Sequence, residues 1–191
     1  MAENDEEYSA IVVDLAAVDT CLVGNSGEFY YVTKLACYNC SIIYDLDTHR
    51  KYAVRWDQTQ TGRGANESAS SLHYYISERM PKSTKYLFIW ADTCGGQNRN
   101  YITVSAMAGI VKTHPNLLSV SLNYFESGHN QSEVDTIHSD IEKAVRRKEI
   151  YHPSEYVVLT SNAPPLNPIH VIELTKDEPK FLILKHIQNF S

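Results

Sequence analysis

The sequence predicts an α/β fold in which three antiparallel strands are extended by parallel ones, and three observations carry that expectation. A β-branched run, "SAIVVDLAAV" at 9–18, reads as a buried strand built around one acid, Asp14. Two more β-rich runs follow it across short polar turns. Helix-like and strand-like segments then alternate, the pattern of crossover connections into a parallel sheet. The resulting order, β, β, β, α, β, α, β, α, is that of the ribonuclease H-like fold, a mixed five-stranded sheet flanked by helices.

Each element has a local reason. Gly24-Asn25-Ser26-Gly27 is a turn, so the β-rich run behind it, "FYYVTKLACYNCSIIYDL", is expected to return antiparallel to the first strand. The Asp-rich "DLDTHRK" turns the chain into "KYAVRWDQTQ", where Tyr52, Val54 and Trp56 alternate with Ala53, Arg55 and Asp57 as in a half-exposed strand. In "ESASSLHYYISERM" the residues Ala69, Leu72, Ile76 and Met80 recur at helical spacing, with Asn66 as the expected N-cap and Pro81 closing the helix. "KYLFIWAD" (85–92) is short and apolar, a buried strand that arrives by a crossover and so lies parallel to the first. "NYITVSAMAGIVKTH" reads as the second helix and "LLSVSLNYF" as the fifth strand. A third helix, "SEVDTIHSDIEKAVRRK", puts Val134, Ile137, Ile141 and Val145 on one face, and Arg146, Arg147 and Lys148 suit the dipole at its end. Past Tyr151, "EYVVLT" and "HVIEL" are strand-like runs around the loop "SNAPPLNP", and the sequence does not fix their pairing.

Size and composition narrow the classes. A chain of 191 residues with 43% hydrophobic and 21% charged residues suits one domain with a substantial core. Its expected organisation is an acidic disordered tail (1–8), a ribonuclease H-like core (9–160) and a C-terminal extension packed on that core (161–191). No apolar run reaches the ~20 residues that cross a bilayer. "MAENDEEYSA" lacks the basic start and apolar centre of a secretory leader, so an intracellular protein with no membrane partner is expected. The net charge of −6 excludes a surface that is basic all over, though not a local basic patch. Four cysteines, Cys21, Cys37, Cys40 and Cys94, raise a disulfide framework or a zinc site. The pair in "CYNC" has no second CxxC or HxxxH to complete a metal site and sits in a strand-like run.

The fold order has a chemical consequence. First and fourth strands are neighbours in such a sheet, so Asp14 and Asp92, the latter where "KYLFIW" gives way to "ADTCGG", project into one crevice. Glu67 at the start of the first helix and an acid at the start of the last, Asp135 or Glu133, would complete a cluster. Clustered carboxylates repel and raise one another's pKa unless divalent cations neutralise them. Mg²⁺ takes oxygen ligands, keeps water and is completed by substrate phosphates. Two such ions, about 3.5–4 Å apart, activate the attacking oxygen and stabilise the leaving oxygen of a phosphodiester. Two Mg²⁺ or Mn²⁺ ions on Asp14, Asp92, Asp135 and Glu67 are therefore the expected cofactors.

The motifs also occur in a familiar order. "RGANE" (63–67), "ADTCGGQNRN" (91–100), "GHNQSEVDTIHSDIEK" (128–143) and "IYHPSEYV" (150–157), with "KLACYNCSIIYDL" at the second strand, resemble a family of uncharacterised, transposon-associated animal proteins. That family has a ribonuclease H-like core of the transposase or integrase type, and the resemblance runs from about Asp14 to Tyr156. It implies a catalytic core related to transposases and nucleases, with Asp14, Glu67, Asp92, His129 and Asp135 at the matching positions. It favours Asp135 over Glu133 as the last acid. Members of the family are longer, with a further N-terminal region, which implies a fragment or a degenerate stand-alone copy that lacks DNA-targeting parts. Ala16 and Ala17 also stand where the family tends to a polar residue.

Each candidate has a plainer reading beside the functional one. Asp14 has the least, because no sequence-adjacent cation reaches it in an apolar strand. Asp92 could simply form a turn before Gly95-Gly96, accepting nearby amides. Glu67 suits the dipole of a helix start, and Asp135 fits a capping box opened by Ser132, while Glu133 lies nearer the apolar stripe. His129 is a proton shuttle or an exposed loop residue. Gln97, Asn98, Arg99 and Asn100 at a helix entrance hold a phosphate or cap the helix. Arg63 contacts a nucleic-acid backbone or pairs with Glu67. Arg146, Arg147 and Lys148 form a solvated helix end or a DNA contact.

The expected activity is metal-dependent phosphoryl transfer on DNA, as a nuclease or transposase-like enzyme in the nucleus, with His129 assisting proton transfer. Two alternatives stay open: a catalytically inactive transposon-derived module that binds nucleic acid or protein, and an RNA-directed hydrolase or exonuclease with the same metal site. A homodimer is compatible with all three.

Overall fold

In the computed structural model, which describes residues 7–14, 18–24, 33–93, 99–126, 133–163 and 167–175, the first strand, β1, spans Tyr8–Asp14. Alternation divides its side chains: Ile11 and Val13 join one apolar cluster and Val12 another on the opposite face. Behind it come β2 (Val18–Thr20), β3 (Ala36–Asp45), β4 (Lys51–Asp57), α1 (Ala65–Glu78), β5 (Tyr86–Ala91) and α2 (Tyr101–Thr113). The chain continues through β6 (Ser119–Tyr124), α3 (Glu133–Val145), α4 (Pro153–Ser161) and β7 (Ile169–Glu173).

The strands form one mixed sheet in the order β6-β5-β1-β3-β4-β7, with β2 paired to β3. β1 runs antiparallel to β3 and parallel to β5, with Val13 opposite Ala91. β4 pairs antiparallel with β3, β6 adds in parallel to β5, and β7 adds in parallel to β4. The opening antiparallel strands and the parallel fit of the predicted fourth strand against the first are both present.

Helices cover both faces. On one, α1 and α2 pack Leu72, Tyr75, Ile76, Met107 and Ile110 against Ile11, Val13, Ile43, Val54, Leu87 and Ile89. On the other, α3 lays Val134, Ile137 and Ile141 on Val12, Tyr44 and Ala53. Each such side chain taken fully from water contributes about 1.5–3 kcal/mol, which is what holds the layers to the sheet. One buried acid, Asp45, is fully engaged, accepting from Tyr75 Oη (2.9 Å) and from the N–H groups of Asp47 (2.9 Å) and Thr48 (3.0 Å). No helix among the described residues is long and apolar enough to cross a membrane.

Three expectations are corrected. Among the described residues the sheet has seven strands rather than five. The predicted first strand, 9–18, is described as β1 as far as Asp14 and as β2 from Val18, and residues 15–17 lie outside the described residues. Both strands pair with β3 in the same register, Asp14 opposite Ile42 and Val18 opposite Tyr38. "EYVVLT" belongs to a helix, α4. His152 Nδ1 accepts from Ser154 N–H, Glu155 accepts from His152 N–H, and Pro153 stands in the first turn, so a complete capping box overrides β-branched propensity. The N-cap of α1 is Gly64, and Asn66 lies inside the first turn. "HVIEL", by contrast, is a strand as expected, and as β7 it brings part of the predicted C-terminal extension into the sheet itself.

Candidate functional site

The topology gathers chemistry at one end of the sheet. β1, β4, β5 and β6 all run in one direction, since β4 reverses β3 and β3 reverses β1. Their C-terminal ends therefore share an edge, and α1, α2 and α3 begin there. Open α/β sheets carry their ligand sites in this crevice. Asp14 closes β1 and Asp92 follows β5, each one step past the paired residues Val13 and Ala91. Both carboxylates are half-buried. Phe125 N–H donates to Ala91 O at 3.0 Å, holding the exit of β6 against the same strand end.

A histidine that the sequence reading passed over completes the pair. His138 Nε2 lies 3.2 Å from Asp14 Oδ2, with side-chain exposures of 23% and 30%. His138 falls four residues after Val134 and three before Ile141, so the apolar stripe that docks α3 carries the imidazole to the sheet at its margin. That spacing was visible in the sequence, but its partner stands 124 positions away. Asp135 is exposed in the first turn of the same helix, as is Glu133. His129, Gln97 and Asn98 lie outside the described residues.

The other predicted residues reach the same end with partners of their own. Glu67 is buried in the first turn of α1, where its Oε1 accepts from Thr61 Oγ1 at 2.8 Å. A Cβ at Gly64 would come within 3.3 Å of Glu67 Oε2, so the glycine leaves room for the carboxylate. α1 packs on the sheet face opposite α3, which sets Glu67 and Asp135 in different layers. Trp56 Nε1 donates to Gly62 O at 2.9 Å and so ties down the loop that exposes Arg63. Asn100 Oδ1 accepts from Thr103 N–H at 3.0 Å and is the N-cap of α2, the plainer of its two readings. Arg99 is exposed, its guanidinium carbon 5.8 Å from the centre of the Tyr124 ring. Among the described residues no three His, Cys, Asp or Glu side chains converge as a metal-holding group.

An aromatic stripe leads to the site. On β5, Leu87 and Ile89 face α1 and α2, so Phe88 and Trp90 point the other way, and they are 39% and 38% exposed. Tyr8 stacks on Tyr86 with ring centres 5.0 Å apart, and Trp90 stacks on Phe125 at 5.6 Å. Trp90 is two residues before Asp92.

Compared with known proteins, residues 39–175 match the family described as Domain of unknown function (DUF7869). The match includes Glu67, Asp92, Asp135 and His138, and β1 with Asp14 precedes it. No curated protein and no solved structure matches the chain.

Proposed function

We propose, for a chain that belongs to the DUF7869 family, metal-dependent phosphoryl transfer on nucleic acid, with DNA as the substrate and a ribonuclease H-like sheet as the scaffold. The observation that carries this reading is the placing of Asp14 and Asp92 at the ends of adjacent parallel strands, with α3 bringing His138 against Asp14. The donor chemistry fits a hard divalent cation, because both groups are carboxylates, both are half-buried, and Mg²⁺ is commonly bound through one or two carboxylates plus water and phosphate oxygens. Asp14 and Asp92 would hold the ion, with Asp135 and Glu67 as further carboxylates of the same sheet end. When bound, Mg²⁺ or Mn²⁺ supplies an acidified water and charge stabilisation at the leaving oxygen.

The chain's own groups do the rest. His138 fixes the Asp14 carboxylate and can carry a proton at Nε2, taking the part expected of His129. Phe88 and Trp90 offer ring faces on which the bases of a single strand stack. Arg63 and Arg99, exposed at the same end, contact phosphates without reading sequence. A transposon origin and a nuclear location follow from the motif resemblance and form part of the same proposal.

A second reading is favoured by one observation. The His138 contact gives Asp14 a hydrogen-bond partner without a metal, as in a binding module that has lost catalysis. Cleavage of end-labelled single- and double-stranded DNA and RNA, with Mg²⁺, Mn²⁺ or chelator, separates the two. Metal-dependent cutting abolished by Asp14→Asn supports the enzyme. Binding of the same strands, without cutting in either metal, supports the module.

A further inference from the structure

We propose that Cys21 and Cys37 form a reversible dithiol–disulfide couple that locks β2 onto β3. Cys37 faces Asp19 in the antiparallel ladder, and Cys21, just past β2, donates its N–H to Leu35 O at 2.8 Å. The two thiols thus occupy diagonal positions across one strand pair, and Sγ stands 2.8 Å from Sγ with no room for an atom between. They are 1% and 3% exposed, enclosed by Ile150, Tyr156, Leu35 and Leu159. No metal-holding group of three ligands includes them among the described residues.

Burial pushes both thiols up, so the resting pair is protonated and reacts only when the three-residue β2 opens. The oxidant is a low-molecular-weight disulfide of the glutathione class. One cysteine thiolate attacks it, forming a mixed disulfide and releasing one thiol; the second cysteine thiolate then attacks the mixed disulfide and releases the other. The protein S–S bond forms, two electrons pass to the oxidant, and the two cysteine protons leave with the released thiols. The bond would fix β2, which carries Asp19, the partner of the buried Arg55.

The test is incubation of the full chain with excess oxidised glutathione, followed by intact mass, alkylation and peptide mapping. The expected result is a loss of about 2 Da reversed by dithiothreitol, a crosslink between the peptides of Cys21 and Cys37, and its disappearance in Cys21→Ser. The thermal midpoint rises by roughly 5–10 °C on oxidation. A Cys40→Ser/Cys94→Ser variant, which keeps only this pair, gives the same crosslink and decides the matter even where Cys21→Ser does not fold. Full alkylation of both thiols after oxidation, an unresolved glutathione adduct, or an unchanged midpoint would overturn the proposal.

Discussion

His138 Nε2 stands 3.2 Å from Asp14 Oδ2, joining the middle of α3 to the end of β1. The contact is half-buried rather than sealed, so water, a metal or a phosphate can reach the carboxylate. It gives α3 two tasks: the Val134, Ile137 and Ile141 stripe stabilises the layer, and the edge of that stripe delivers an imidazole.

If His138 moves a proton during turnover, His138→Gln lowers kcat by roughly 10²-fold with little change in KM, the size expected for a general acid–base group. Asp14→Asn reduces cleavage to background. Steady-state kinetics on a labelled oligonucleotide checks both; a His138→Gln enzyme with unaltered kcat assigns the histidine to folding alone.

Trp90→Ala weakens binding of a single-stranded oligonucleotide by about 1–3 kcal/mol, the usual loss of one base–ring stack. The ring is 38% exposed but stacks on Phe125 at 5.6 Å, so the urea midpoint falls as well and affinity is compared under conditions where both proteins are folded. Fluorescence anisotropy reads the affinity, and equal affinities for variant and wild type would remove the aromatic stripe from the site.

Arg55 is 4% exposed and is held by Asp19 (2.5 Å), by Thr160 Oγ1 (2.6 Å) and by the face of Tyr156, 4.8 Å from the guanidinium. Asp19→Ala leaves a buried cation without its carboxylate and costs about 3 kcal/mol. Urea unfolding measures it. Arg55→Met, which removes the charge together with its need for a partner, is expected to cost less than Asp19→Ala.

Stability also falls on mild acidification. His73 and His114 line one groove between the ends of α1 and α2. Burial lowers the pKa of His73, against the opposing charge of Glu78. Burial and then Lys82 lower that of His114, whose Nδ1 accepts from Asn116 N–H (3.3 Å) and Leu117 N–H (3.1 Å). The unfolded imidazoles, near 6.5, take protons first, so the unfolded state binds more of them as the pH drops. Stability present above about pH 6.5 is lost as pH falls toward the lowered folded values, and levels off beneath them. A His73→Phe/His114→Asn variant flattens the urea midpoint between about pH 7 and 5; an unchanged slope contradicts the assignment.

Much of the scaffold was legible because its patterns are long and local. β1 and β5 read as apolar runs, and the stripe of α3 repeats over Val134, Ile137 and Ile141. α4 was misread because "EYVVLT" has β propensity while its fate is set by a capping box between His152, upstream of the run, and Glu155, its first residue. β7 was visible as a strand, but its pairing with β4 joins segments more than a hundred residues apart, and no local pattern encodes that. At the site, Asp14 and Asp92 were legible from fold order, since a crossover brings the two strand ends together. His138 was not, because a histidine beside an apolar stripe looks like any helix-margin residue until the strand beneath it is known. The Cys21–Cys37 contact escaped for the same reason: "CYNC" drew attention to sequence neighbours, and the ladder chose a cysteine 16 positions away.

The measurement that tests the central claim most directly is calorimetric titration of Mn²⁺ or Mg²⁺ into the wild type and into Asp92→Asn. The account predicts saturable binding by the wild type that is lost in the variant, with both proteins folded by circular dichroism. Binding that is equal in the two, or undetectable in the wild type both alone and with an oligonucleotide present, contradicts a metal site at the ends of β1 and β5.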